Sequence, residues 1–190
     1  MNDVTSLPQA MIDDFVAAAH GDFDKVKQLI AGHPELVDAE ASWGERAVEA
    51  ASQTGRVDMV EFLLAAGARK DICTAVMLGD MRQVEAFLAA DPGLIYARGA
   101  HDLPLMYFAA IRGHTGIARY LLQRGAEINA GNGGNTALHG AVIFGQVEMV
   151  SWLLENGADV NALDHNGKIP QQLAEESGQT VIAELIRQTH

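Results

Sequence analysis

The stretch AVIFGQVEMVSWLL at residues 141–154 carries the pattern that decides the fold. Two variable residues precede Gly145, and an apolar ladder of Val147, Val150 and Leu153 follows it at the spacing of one helical face. This pattern predicts two short antiparallel helices with the glycine at the turn between them. Because helices of this length are only marginally stable alone in water, each pair needs neighbours that cover its apolar face.

The same unit recurs along the chain, which indicates an array of repeats. Successive turn glycines are 34, 24, 34, 32 and 33 residues apart. Stacking the helix pairs side by side would bury a continuous apolar core, as in helical solenoids. The other copies are AAAHGDFDKVKQLI (17–30), ASQTGRVDMVEFLL (51–64), AVMLGDMRQVEAFL (75–88), AAIRGHTGIARYLL (109–122) and the weaker AEESGQTVIAELIR (174–187).

Two consecutive blocks of this array are duplicates of each other. Residues 17–68 match residues 75–126 without gaps at a constant offset of 58. Polar, turn-rich connectors join most copies and predict short hairpins, as at residues 157–170. The connector from Gly67 to Ala75 is too short for a projecting hairpin. We therefore expect the third copy to lack one.

Composition and charge narrow the classes of partner. The 190 residues include 25 Asp and Glu against 13 Lys and Arg, a formal net charge of −12. This charge opposes nucleic acid and anionic membranes as partners and favours a basic protein. No apolar run reaches membrane-spanning length, the first residues lack the basic start of a signal peptide, and the single cysteine excludes an intrachain disulfide. We expect a soluble cytoplasmic protein.

The motif Thr136-Ala137-Leu138-His139, followed by Gly145 and by LLENGADVN at residues 153–161, resembles the ankyrin repeat family. The resemblance covers about residues 10–190 and implies an all-α fold, an ankyrin-type helical solenoid of about six repeats with short β-hairpin-like connectors. It also implies a single domain over residues 1–190 that acts as a non-enzymatic adaptor or inhibitor and binds a protein on its concave face. The repeats fall at about residues 10–38, 42–69, 70–97, 100–129, 132–161 and 165–190.

An apolar stripe in the middle copies is interpreted as the partner-binding site. In ankyrin repeats the concave face carries the two variable residues before the turn glycine, together with residues near the hairpin tips. Contiguous exposed apolar surface often marks an interaction site, and methionine, aromatic and arginine side chains suit the core of an interface. The predicted site residues are Trp43, Met77, Leu78, His101, Leu103, Ile111, Arg112, Ile143 and Phe144.

Other interpretations of the stripe stay open at this point. In one interpretation, the side chains of the stripe pack locally against neighbouring repeats. In another, the stripe pairs two chains into a structural homo-oligomer, so that the protein is a weak homodimer rather than a monomer. A third makes this acidic chain a small immunity-type inhibitor of a basic target.

No catalytic residue, metal site or cofactor is predicted. The seven histidines are scattered, without the spacing of metal ligands on one helix. Cys73 falls in the predicted first helix of the third copy, where a buried small residue is a simpler interpretation than a nucleophile. By the family resemblance, His139 is a structural residue that hydrogen-bonds loop backbone.

Overall fold

The computed structural model describes residues 7–131 and 133–189, so the predicted repeat start at residue 132 and the chain ends lie outside the described residues. Within those two ranges the structure contains twelve α-helices and no β-sheet, with two isolated antiparallel bridges at hairpin stems. The predicted all-α class, built from ankyrin-type helical repeats, is confirmed. Over the same ranges, the structure contains no helix with the length and apolar character needed to cross a bilayer.

The chain divides into two compact units, residues 1–74 and 75–190. The boundary coincides with the start of the second duplicated block at Ala75, in the copy that was expected to lack a hairpin. The connector before this copy forms neither a 3-10 helix nor a bridge. The interpretation of residues 1–190 as a single domain stays a prediction.

In unit 1, two pairs of helices pack around a small apolar core. Helix α1 packs on α2 and α3, and α3 packs on α4. The core side chains Phe15, Leu36, Met59 and Leu63 are fully buried. The elements are α1 (Gln9–Ala18), α2 (Phe23–Gly32), a 3-10 helix (Pro34–Asp38), α3 (Ala47–Gln53), α4 (Val57–Ala65) and the start of α5 (Ile72–Met77).

Unit 2 contains the end of α5 and seven further helices. These are α6 (Met81–Ala90), α7 (Leu105–Ala110), α8 (Thr115–Gln123), α9 (Ala137–Ile143), α10 (Val147–Glu155), α11 (Pro170–Glu176) and α12 (Thr180–Arg187), with 3-10 helices at Pro92–Tyr96 and Ala100–Asp102. The first helices of consecutive repeats stack on each other, α7 on α9 and α9 on α11. The second helices do the same, α8 on α10 and α10 on α12. This is the mutual covering of apolar faces that the helix periodicity predicted.

Each turn in the middle of unit 2 is also fastened to the next repeat by a polar side chain. The Nε2 atom of His114 lies 3.0 Å from the carbonyl oxygen of Met77, and Nε2 of Gln146 donates to the carbonyl of Ile111 at 3.1 Å. Gly79 leaves room for this contact, because a methyl group there would lie 2.8 Å from Cε1 of His114. The turns that carry the predicted site residues are therefore held in fixed positions.

Candidate partner-binding site

The structure separates the nine predicted site residues into buried and accessible groups. Met77, Leu103 and Ile111 are buried, which corrects the expectation of a continuous apolar stripe at the surface. Leu78 and Phe144 are half-buried. The exposed members are Trp43, His101, Arg112 and Ile143.

Ile111 is buried against a glycine of the next repeat. A methyl group at Gly140 would lie 2.8 Å from Cδ2 of Tyr107 and 3.0 Å from Cγ2 of Ile111. The side chains of α7 thus press directly on the backbone of α9. This packing leaves Ile111 no surface with which to meet a partner.

Ile143 occupies the same place in its own repeat and has the opposite environment. It is 45% exposed, at the last position of α9. The repeat alignment puts Leu173 where the preceding pair of repeats has Gly140. At this position α11 therefore does not present to Ile143 the bare glycine backbone against which Ile111 packs. The half-buried Phe144 follows it as the C-cap residue of α9.

Arg112 lies on the turn between α7 and α8, beside the turn that contains Phe144. Its neighbours Ile111 and Gly113 both touch Gln146: the carbonyl of Ile111 accepts from Nε2, and a methyl group on Gly113 would lie 2.6 Å from Oε1. Arg112 itself points to solvent and makes no ion pair with any described residue. We name Arg112, Ile143 and Phe144 the α9 surface.

Trp43 lies on the hairpin of unit 1, and its indole N–H already makes a hydrogen bond within the protein. The indole Nε1 donates to Oε2 of Glu45 at 2.7 Å, and Oε1 of Glu45 accepts from Nε2 of Gln53 at 2.9 Å. Glu45 is only 3% exposed. The sequence interpretation missed this buried polar group, although an acid at the position equivalent to Leu103 was a visible signal.

His101 stands at the tip of a tight hairpin in unit 2. His101 and Asp102 have φ values of 55° and 58°, a left-handed conformation that costs non-glycine residues free energy. The tip is tied down by Nη1 of Arg98, which donates to the carbonyl of Asp102 at 3.1 Å. His101 is exposed, while the next residue but one, Leu103, turns inward.

A groove of about 240 Å³ lies between this hairpin stem and the loop after α8. Its lining includes Tyr96, Arg98, Leu105 and Glu127, and no histidine, cysteine or serine is among the lining residues. The volume is below the range of about 300–1,000 Å³ typical of small-ligand pockets. The lining residues thus provide no nucleophile paired with a base.

The pKa shifts of three buried side chains follow from their packing within the fold. Burial raises the pKa of the Cys73 thiol well above its ordinary value, so the thiol stays protonated. Burial also raises the pKa of Tyr107 to about 12. The pKa of His139 is lowered by burial, and its Nε2–H donates to the carbonyl of Lys168 at 3.2 Å. The Nδ1 atom lies 2.8 Å from Oγ1 of Thr136, which completes the cap of α9.

Comparison with known proteins agrees with this architecture. Residues 72–164 match the family model described as ankyrin repeats in three copies. No curated protein matches the sequence. Ankyrin repeats generally mediate protein–protein interactions and are generally non-catalytic. The stacked helix pairs of unit 2 and the family match over residues 72–164 together support the assignment of this chain to the ankyrin repeat family.

Proposed function

We propose that the protein is a non-enzymatic binding module that holds a protein partner on the α9 surface, on the side of the repeats that the family uses as its concave face. The observation that supports this most strongly is Ile143. A large aliphatic side chain that is 45% exposed at the end of a well-packed helix contributes little to the fold. Its equivalent Ile111 shows that the same position is buried where the fold requires it.

The surroundings of Ile143 suit an interface core. Phe144 adds aromatic surface beside it, and Arg112 adds a charged group on the neighbouring turn. Aromatic and arginine side chains are enriched among residues that dominate binding free energy. The turns are held by the hydrogen bonds of His114 and Gln146, so little order has to be created on binding. Leu78 and His101 remain further candidate contacts within unit 2, and the role of Trp43 in unit 1 stays a separate prediction.

The test is a pull-down from the native host with the wild-type chain and two variants. Ile143→Glu places a charge on the α9 surface, and Val181→Glu places the same charge on α12 at a side chain that is 60% exposed. We expect Ile143→Glu to lower the recovery of the partner about tenfold or more, and Val181→Glu to leave it unchanged. Equal recovery with all three folded proteins would reject the α9 surface as the binding site.

Light scattering over a concentration series checks the homodimer at the same time. If the wild-type chain dimerises and Ile143→Glu makes it monomeric, the occupant of the α9 surface is a second copy of this chain. A wild-type protein that stays monomeric while it recovers a partner supports the proposal.

A further inference from the structure

We infer that the segment bound at the α9 surface carries a carboxylate about three residues from a bulky apolar side chain, with the carboxylate on Arg112 and the apolar group against Ile143 and Phe144. The inference rests on the proposed function and adds the chemistry of the partner. The acidic segment is opposite in charge to the basic partner that the net charge of the whole chain favours.

Among the described residues, Arg112 carries a charge at the α9 surface that no ion pair uses. The neighbouring acids on α11 already have partners: Oε2 of Glu176 lies 2.5 Å from Nζ of Lys168, and Oε1 of Glu175 lies 3.5 Å from Arg187. Arg112 has no such partner among the described residues. The group that still has ion pairing to offer is therefore a cation.

The sequence around Arg112 is basic. Between Asp102 and Glu127 the chain contains no acid, yet it contains Arg112, Arg119 and Arg124. The guanidinium of Arg124 stacks over the ring of Tyr120 at 3.7 Å, so it is held close to α8. This part of the chain is thus basic within a protein whose formal charge is −12, and Arg112 is its arginine at the α9 surface.

Arg112 and the apolar residues of the α9 surface lie within reach of one extended peptide segment. Gln146 joins the turn of Arg112 to the turn after Phe144, so the cation and the apolar residues sit on adjacent repeats. Packed helices lie about 8–10 Å apart, and an extended peptide advances about 3.3 Å per residue. One extended segment can touch both if its acid and its apolar anchor are about three residues apart.

Selection of short random peptides displayed on phage tests the chemistry without knowledge of the natural partner. On the wild-type chain we expect enriched peptides to carry Asp or Glu about three positions from Leu, Ile, Phe or Trp. Arg112→Glu should weaken their binding about tenfold or more and should select basic peptides instead. Arg119→Glu is the matched control, since this exposed arginine of α8 also lacks an ion pair among the described residues, and it should have little effect.

The outcomes separate the two proposals. Suppose that Ile143→Glu abolishes the binding of the enriched peptides, but these peptides lack acids or bind Arg112→Glu as well as the wild type. That result overturns the inference and leaves the α9 surface as the binding site. If the enriched peptides bind Ile143→Glu as well as the wild type, or if no peptide is enriched, the result counts against both the inference and the proposed binding site. If lowering the salt concentration strengthens peptide binding to the wild-type chain but not to Arg112→Glu, the result agrees with the inference.

Discussion

Glu45 and Gln53 in unit 1 stand at the positions of Leu103 and Ile111 in unit 2, 58 residues further along the chain. All four are buried. The first pair is a hydrogen-bonded carboxylate and amide, with Trp43 as a second donor, whereas the second pair is apolar. One backbone frame thus accepts either chemistry, provided that every buried polar atom finds a partner.

The frame itself is closely the same in the two blocks. Helices α2 and α6 begin and end at equivalent residues, as do α4 and α8 and the two 3-10 helices that start with proline. The hairpin of unit 1 is closed by the amide of Ala41 on the carbonyl of Glu45 at 2.8 Å, and the equivalent bond from Gly99 to Leu103 is 2.9 Å. At these positions the difference between the two blocks therefore lies in the side chains.

The largest expected effect comes from moving the polar residue of unit 1 into unit 2 without its partner. Ile111→Gln buries an amide where the equivalent of Glu45 is an apolar leucine, and it loses apolar contacts as well. We expect the free energy of unfolding to fall by about 3 kcal/mol. Urea denaturation followed by the fluorescence of Trp152, which is buried in α10 of this unit, measures the loss.

Ile143→Gln is the control for this substitution. It makes the same chemical change at the equivalent but exposed position of the next repeat, and should cost less than about 0.5 kcal/mol. If the two substitutions lower the free energy of unfolding equally, this result contradicts the assignment of Ile111 as buried and Ile143 as exposed.

A smaller effect is expected when unit 1 is given the apolar chemistry of unit 2. Gln53→Ile alone removes a donor from the buried carboxylate of Glu45 and should cost about 1–3 kcal/mol. The double variant Glu45→Leu plus Gln53→Ile removes both polar groups, and should recover to within about 1 kcal/mol of the wild type. The indole of Trp43 and the ring of His20 can turn to water, since both are partly exposed.

A double-mutant cycle on the free energy of unfolding checks this recovery. Additive costs would mean that Glu45 and Gln53 act independently and that the polar pair is not a unit. Fluorescence of Trp43 in a Trp152→Phe background reports on unit 1 in these variants.

The smallest effect is a difference in pH dependence. In unit 2, burial lowers the pKa of both His114 and His139 below the ordinary 6.5. The unfolded chain therefore binds these protons more readily, and the stability of unit 2 should fall as the pH drops through 6.5. In unit 1 the pKa of Asp38 is lowered, because hydrogen bonds from Arg69 outweigh the effect of burial. Its contribution is lost only as the pH falls through 3.8 and below.

His114→Gln sharpens this prediction, since glutamine already makes the equivalent bond at position 146. The variant should keep the bond to the carbonyl of Met77 and lose part of the pH dependence between pH 7 and 5. Denaturation series at several pH values, read from Trp152 for unit 2 and from Trp43 for unit 1, test it. A wild-type unit 2 that is equally stable at pH 7 and pH 5 would contradict the burial of the two histidines.

Several features of the fold could be predicted from local pattern alone. Apolar spacing and turn glycines placed the helix pairs, and the short connector before Ala75 marked the missing hairpin, because these features depend on residues close together in the chain. The candidate site was predicted less well. Met77, Leu103 and Ile111 looked like surface residues, since only their place in the repeat was visible.

The repeat length, the positions of the turns and the resemblance to ankyrin repeats follow from the local pattern of the chain. The tertiary structure alone decided which side chain before each turn is covered. Ile111 packs against Gly140, about thirty residues later in the chain, whereas Ile143 is exposed where the equivalent residue is Leu173. Burial is a property of the neighbouring repeat, so no pattern within one repeat can report it.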